Sequence, residues 1–207
     1  MTPALVVIAK APVAGRSKTR LTPPCSPHEA ALLARAALHD TLDAVAATPV
    51  ARRVCVLEGE AGDWLPEGFE VIPQRGDGLD ARLAHAFADV GEPAVLIGMD
   101  TPQVTPELLV LACERLVAPG VDAVLGAAAD GGYWALGLHE ARSELLYGVP
   151  MSADDTCVAQ RERLLAHGLR VRELPPLRDV DDIADAHAVA SAAPGGRFAR
   201  TLAEVVA

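Results

Sequence analysis

The sequence predicts an α/β fold, a single-domain, Rossmann-like α/β/α sandwich around a mostly parallel sheet. Three observations predict it. Short apolar runs of strand character alternate with longer stretches of helical spacing along the whole chain. Ala94-Val95-Leu96-Ile97-Gly98 is apolar without a break, as a central parallel strand covered on both faces must be. Polar and glycine-rich segments follow the predicted strands, where an open α/β sheet binds its ligands. A length of 207 residues suits one well-buried domain over residues 1–207, and no repeat, low-complexity segment or linker interrupts it.

Taken in order, Ala4 to Ala9 read as a buried strand that meets Lys10 directly, a poor signal peptide. Ser26-Pro27-His28-Glu29 is a capping box with proline at the first helical position, opening a helix to about Ala47. Arg53 to Leu57 and Phe69 to Ile72 read as strands, and Asp80 to Val90 as a helix through Leu83, Ala86 and Phe87. After the central strand, Thr105-Pro106-Glu107 caps a helix to about Val117. Asp122 to Gly126 and Tyr133 to Leu136 are strands, Thr156 to His167 a helix, and Leu169 to Leu174 a strand. One or two helices close the chain around a turn at Gly195-Gly196.

Composition narrows the partners. Hydrophobic residues make up 51% and aromatics 3%, so alanine, valine and leucine must build the core. A net charge of −10 argues against nucleic acid, whose phosphates want a basic face, and no apolar run approaches the ~20 residues of a membrane span. Cys25, Cys55, Cys113 and Cys157 lie too far apart for close zinc pairs and read as reduced, buried thiols of a cytoplasmic protein. The histidines have no Cys or Glu at ligand spacing, and no serine sits in a nucleophile elbow.

Against that acidic background the segment after the first strand stands out. Lys10, Arg16, Lys18 and Arg20 surround Pro12 and Gly15, and Lys10 and Lys18 are the two lysines of the chain. A turn of backbone N–H groups flanked by cations suits phosphate oxygens, and the compact lysine ammonium reaches such oxygens as a point charge. A solvated basic turn is the plainer reading of such a run, but its place after the first strand favours the phosphate site. The Walker A spacing is absent. Asp100 ends the most hydrophobic strand, where a carboxylate is costly to bury unless paired or metal-bound. Thr105 already caps the next helix, so Asp100 reads as a ligand for Mg²⁺ or Mn²⁺, which takes one or two carboxylates and leaves room for phosphate and water. Asp179-Val180-Asp181 places two carboxylates on one side of an extended backbone and is a source of the second ligand, while Asp182 reads as a helix cap. Asp130-Gly131-Gly132-Tyr133 reads equally as a hairpin turn and as a backbone platform against a substrate.

"KAPVAGRSKTRL", "GDGLDARL", "IGMDTP", "DGGYWALGL" and "DVDD" occur in the order found in the DUF2064 family, which the chain resembles from Val6 to about Asp185. These are small GT-A-like transferases, also described as guanylyltransferase-like and often labelled glycosyltransferases. Wider relatives include 2-phospho-L-lactate guanylyltransferases and molybdenum-cofactor nucleotidyltransferases. Ala14 replaces a usual proline, Asp80 a usual glycine, and Met151-Ser152-Ala153 a usual Trp-Ser-Thr.

The resemblance implies a nucleotide-diphospho-sugar transferase (GT-A) fold. Lys10, Ala11, Pro12, Gly15, Arg16 and Lys18 would wrap the nucleotide phosphates, with Gln74, Gly76 and Gly78 beside the base. Asp130, Gly131, Gly132 and Tyr133 would face the acceptor. Asp100 with Asp181 or Asp179 would hold the metal, and Lys18, Arg20 and Asp100 would carry catalysis. The activity expected is nucleotidyl transfer from an NTP to a small acceptor bearing a phosphate or phosphonate. A glycosyltransferase is the alternative, although Gly98-Met99-Asp100 supplies one carboxylate where an Asp-x-Asp motif would supply two. A non-catalytic nucleotide-binding module is a second alternative, which two carboxylate sites argue against.

Overall fold

In a computed structural model, which describes residues 2–206, seven strands form one sheet in the order β3-β2-β1-β4-β6-β5-β7. These are β1 (Ala4–Lys10), β2 (Arg53–Glu58), β3 (Glu70–Pro73), β4 (Ala94–Ile97), β5 (Ala123–Ala128), β6 (Tyr133–Leu138) and β7 (Val171–Leu177). All neighbours pair in parallel except β6, which runs antiparallel to both β4 and β5 because it returns from β5 through a hairpin. The helices are α1 (Pro27–Ala47), α2 (Leu79–Val90), α3 (Pro106–Leu116), α4 (Thr156–Ala166), α5 (Ile183–Ala192) and α6 (Arg197–Val205). None of the described helices is long and apolar enough to cross a membrane.

Strand periodicity divides the core. Leu5, Val7 and Ala9 of β1 join Leu38, Leu42 and Leu109 on the α1 and α3 face. Ala4 and Val6 join Leu83 and Phe87 on the α2 face, so successive residues serve opposite layers. A third cluster ties α5 and α6 to α1 through Phe198, Leu202 and Leu33, and it also buries Leu21 and Val180. Helix starts follow the sequence cues. Ser26 accepts from Glu29 N–H while the Glu29 carboxylate accepts from Ser26 N–H, and Thr105 accepts from Leu108 N–H at 3.3 Å.

Two departures have local causes. β7 runs on to Leu177 through Pro175 and Pro176 instead of ending at Leu174. It is an edge strand, so the missing N–H groups leave no partner unserved, and the Pro175 carbonyl accepts from Trp134 Nε1 at 3.0 Å. Of the cysteines, Cys25, Cys55 and Cys113 are buried free thiols, while Cys157 is only partly covered. Burial pushes the Cys55 and Cys113 thiols up to about 11, which keeps them protonated and inert.

Strand order reverses between β1 and β4. In an open α/β sheet that reversal leaves a crevice beyond the carboxyl ends of the strands. Lys10 ends β1 beside it, and Gly98 to Thr101 leave β4 on its other side. Glu58 ends β2, and Gln74, Asp130 and Asp179 follow β3, β5 and β7, at the same end of the sheet.

Candidate active site

A cleft of about 740 Å³ opens at these strand ends, and a recess of about 270 Å³ adjoins it beneath the segment from Lys10 to Arg20. Lys10, Arg20, Met99, Asp100 and Asp181 line both.

The basic segment is folded by its own contacts. Ser17 Oγ accepts from Val13 N–H at 3.0 Å, and Gly15 takes a positive φ of 74° with open space beside it, so its glycine answers a backbone need. Buried Leu21 then anchors the segment against α1. Lys18 also lies in the left-handed region, at φ 50°, and its side chain is 9% exposed. Its ammonium donates to the Val180 carbonyl and sits 2.9 Å from Asp100 Oδ1. The ammonium is thus the partner of that buried carboxylate oxygen. Val180 N–H donates to the Asp100 carbonyl at 3.0 Å, which completes a clamp between the two segments.

Val180 is fully buried in the α1–α5–α6 cluster, so its neighbours Asp179 and Asp181 face the cleft together. Their carboxylates and that of Asp130 come within 4.8 Å of one another. The resemblance implies Asp130 on the acceptor side and Asp100 in the metal set. The structure groups Asp130 with the two aspartates, while Asp100 faces Lys18. Burial, then the charges of Asp130 and Asp181, push the Asp179 carboxyl up to about 6. Arg20 binds Asp181 at 2.7 Å, yet four aspartates here face only Lys18 and Arg20. Uncompensated hard oxygen donors on a half-buried patch fit a divalent cation such as Mg²⁺ or Mn²⁺.

The opposite wall has the opposite sign. Glu58 accepts from Arg82, with Lys10 at 3.4 Å and Arg16 at 3.8 Å, so three cations surround one carboxylate. The Arg82 hydrogen bond, with Lys10 beside it, holds the Glu58 carboxyl below its ordinary range. Gln74 lines the cleft, but both hydrogens of its amide go to the Ala9 and Val56 carbonyls, at 2.7 and 3.1 Å. Its oxygen accepts from Arg82 at 3.2 Å. Gln74 thus braces the ends of β1 and β2.

Asp130 to Gly132 form the β5–β6 hairpin and more. Gly132 N–H donates to Asp130 Oδ1 at 2.7 Å, and the Gly131 carbonyl accepts from Cys157 N–H at 2.8 Å. Gly131 has φ 90°, and a Cβ there would lie 1.9 Å from the Asp154 carbonyl oxygen, so the hairpin docks on the segment before α4 through bare backbone. Tyr133 lines the cleft, but its hydroxyl turns inward to Gln160 Oε1 at 3.5 Å, and burial raises its pKa well above the ordinary value. Ala11, Pro12, Gly15, Gly76, Gly78 and Gly131 shape the backbone around the cleft without lining it, and Arg16 and Lys18 line the recess alone.

Glu58 and Arg82 are among the cleft residues that received no role from the sequence. Glu58 directly follows the second predicted strand, so the strand-end rule applied there would have found it. Arg82 lies within "GDGLDARL", but its reach to Glu58 depends on how α2 packs over β2.

Solved structures with this fold include a protein from Desulfovibrio desulfuricans G20 inferred to be a nucleotide-diphospho-sugar transferase. It is 27% identical with a TM-score of 0.84, over 98% of this chain and 94% of that one. The manganese complex of Rv0371C from Mycobacterium tuberculosis H37Rv is 23% identical at TM-score 0.54, over 91% and 97%. The 2-C-methyl-D-erythritol 4-phosphate cytidylyltransferase of Thermus thermophilus is 16% identical at TM-score 0.56, over the whole of both chains. The nucleotide-diphospho-sugar transferase fold expected from the motifs is therefore the fold observed. A search of curated proteins finds no match. The basic segment and the Asp179–Asp182 run lie outside the span recognised by a family model, but that span covers residues 33–153, more than half of the chain, and the chain belongs to the family described as an uncharacterized protein conserved in bacteria, DUF2064.

Proposed function

We propose that this chain is a transferase that moves a nucleotidyl group from an NTP to a small acceptor bearing a phosphate or phosphonate, with release of pyrophosphate. The two-poled cleft carries this reading. Lys10 and Arg82 on the cleft wall beside Glu58, with Arg16 in the adjoining recess, leave an excess of positive charge on that side, suited to a polyphosphate. Asp130, Asp179 and Asp181 gather negative charge on the other, suited to Mg²⁺ or Mn²⁺. A triphosphate with its cation is complementary to both at once.

In the reaction an acceptor oxygen attacks the α-phosphorus, and the bond from that phosphorus to the oxygen bridging the β-phosphate breaks. The electron pair leaves with pyrophosphate. The attacking oxygen is already anionic, so no residue need remove a proton. Bound divalent cation supplies charge neutralisation at the phosphate oxygens. Arg20, beside Asp181, and Lys18, beside Asp100, would be the protein cations that answer the charge growing as the bond breaks. The clamp through Val180 fixes both relative to the carboxylates, so the work is positioning and electrostatics. The segment from Met151 to Asp154 lines the cleft next to the Asp130 hairpin and would seat the acceptor.

Thermal melts with each NTP and each common nucleotide sugar, with and without Mg²⁺ or Mn²⁺, test the donor. One NTP with metal should stabilise the chain by about 2.7 kcal/mol at a hundredfold excess over its Kd. Pyrophosphate release in the presence of phosphorylated acceptors then tests the reaction, and Asp181→Asn should abolish it. A glycosyltransferase is the second reading, favoured by the likeness to the Desulfovibrio protein. A shift with nucleotide sugars and none with NTPs would establish it instead.

A further inference from the structure

Glu58 is an acidic residue on the cation-bearing wall of the cleft, where phosphates alone would call for none. It ends β2 in register with Lys10 at the end of β1, so both side chains leave the same face of the sheet. Its backbone is fixed from the same side. The Glu58 carbonyl accepts from Ala11 N–H at 2.8 Å, and a Cβ on Gly59 would stand 2.8 Å from Ala11 Cβ. The chain at Glu58 therefore packs tightly on the start of the basic segment. From that fixed point the carboxylate divides its oxygens. Oε2 accepts from Arg82 Nη1, and Oε1 lies 3.4 Å from the Lys10 ammonium.

Arg82 is held by more than Glu58. Nη1 also donates to the Gln74 oxygen at 3.2 Å, and Nε donates to the Gly76 carbonyl at 3.4 Å. Gln74 is itself tied down, since its amide nitrogen serves the Ala9 and Val56 carbonyls. The Nη2 hydrogens of Arg82 meet no acceptor among the described residues, on a partly exposed side chain that lines the cleft. An isolated surface ion pair would need neither Gln74 nor Gly76. A guanidinium braced from the ends of β2 and β3, with one amino group unspent, is ordered in advance for an anion.

We propose that Glu58 is a positioning residue for the donor's polyphosphate, spacing Lys10 and Arg82 and leaving the Arg82 Nη2 hydrogens for a phosphate oxygen. This rests on the NTP reading above and adds a residue to it. The two cations repel each other, and long side chains are costly to order when a ligand arrives. The carboxylate between them removes both costs before binding. It also withdraws positive charge from the wall, so charge and positioning predict opposite effects when it is lost.

The test is calorimetric titration of the full-length chain with ATP, GTP, CTP or UTP, each with Mg²⁺, in a double-mutant cycle with Arg82→Met. Glu58→Gln keeps the shape and removes the charge. It should weaken binding of the NTP by about tenfold although the wall becomes more positive. In the Arg82→Met background the same change should cost about twofold at most, because Lys10 alone is left to be placed. Glu58→Asp keeps the charge but draws it back by a methylene, and it should weaken binding too. Tighter NTP binding in Glu58→Gln would mark a competing counterion and overturn the proposal. Equal losses in both backgrounds overturn it, as does a lower melting temperature with unchanged affinity. Wild-type affinity in Glu58→Asp shows that charge suffices without position, and overturns it as well. A wild-type chain that binds none of the four NTPs sinks the functional reading and this proposal with it.

Discussion

Replacing Asp179 with asparagine should make the metal-free protein more stable and the metal-loaded protein less so. Burial and the Asp130 and Asp181 carboxylates hold the Asp179 carboxyl at about 6, against an ordinary 3.8. Between those values the native state keeps a proton that the unfolded chain releases, so native stability is full below 3.8 and falls as pH rises through about 6. The gap sets a ceiling of about 3 kcal/mol. The carboxylate is half-buried and screened by water and salt, which reduces this to about 1 kcal/mol. Asparagine has no charge to repel, so Asp179→Asn in EDTA should match the wild type in acid and melt above it near neutral pH. The separation should be ~2–4 °C for a domain of this size. Saturating Mn²⁺ should reverse the order, because the wild type gains about 2.7 kcal/mol at a hundredfold excess over Kd and the variant loses a ligand. Differential scanning calorimetry from acid to neutral pH, in EDTA and in Mn²⁺, measures both arms. If Asp179→Asn in EDTA melts at or below the wild type near neutral pH, the carboxylates do not repel one another and the electrostatic case for a cation fails.

Three further substitutions probe the frame around that cluster. Gly131→Ala drives a Cβ to 1.9 Å from the Asp154 carbonyl at a positive φ, so the segment before α4 must move; melting should show a loss of about 1–3 kcal/mol, and turnover should fall with it. Lys18→Met leaves Asp100 and the Val180 carbonyl without their shared donor and should cost about 2–3 kcal/mol in denaturant unfolding, with no loss if the ammonium is dispensable to the fold. Arg82→Met removes a cation from the Glu58 wall and should weaken NTP binding by about tenfold, or ~1.4 kcal/mol, in titration calorimetry; equal affinity would place the polyphosphate elsewhere.

Much of this arrangement was legible because it follows from rules that act locally or at the level of the whole sheet. The period-two burial of β1, the Ser26 and Thr105 caps and the unbroken apolar run of β4 each declare themselves in a few residues. Asp179 and Asp181 could be paired because a single buried valine between them fixes their side in any extended backbone. The partners of those residues were hidden. Nothing in the order of letters tells Lys18 that its nearest carbonyl lies at residue 180, or tells Arg82 that Glu58 lies below it, since both contacts require the assembled sheet. Gln74 shows the same limit. Its position at the end of β3 was readable, but its employment by the Ala9 and Val56 carbonyls was not.

Lys18 also explains why this chain, with sixteen arginines, keeps lysine there. A nearly buried cation must serve a backbone carbonyl and a carboxylate that approach from different directions, and the backbone carrying it is left-handed. The ammonium is compact and its three hydrogens point apart, so it can reach both acceptors from one atom. A guanidinium is broader, and its hydrogens lie in one plane that favours two parallel acceptors on the same group. Arg20, two residues on, faces the more open side and binds the Asp181 carboxylate at 2.7 Å. The choice between the two cations at positions 18 and 20 therefore follows the space available. Lysine serves the interior joint that holds Asp100 to the 179–181 segment, and arginine serves the exposed rim.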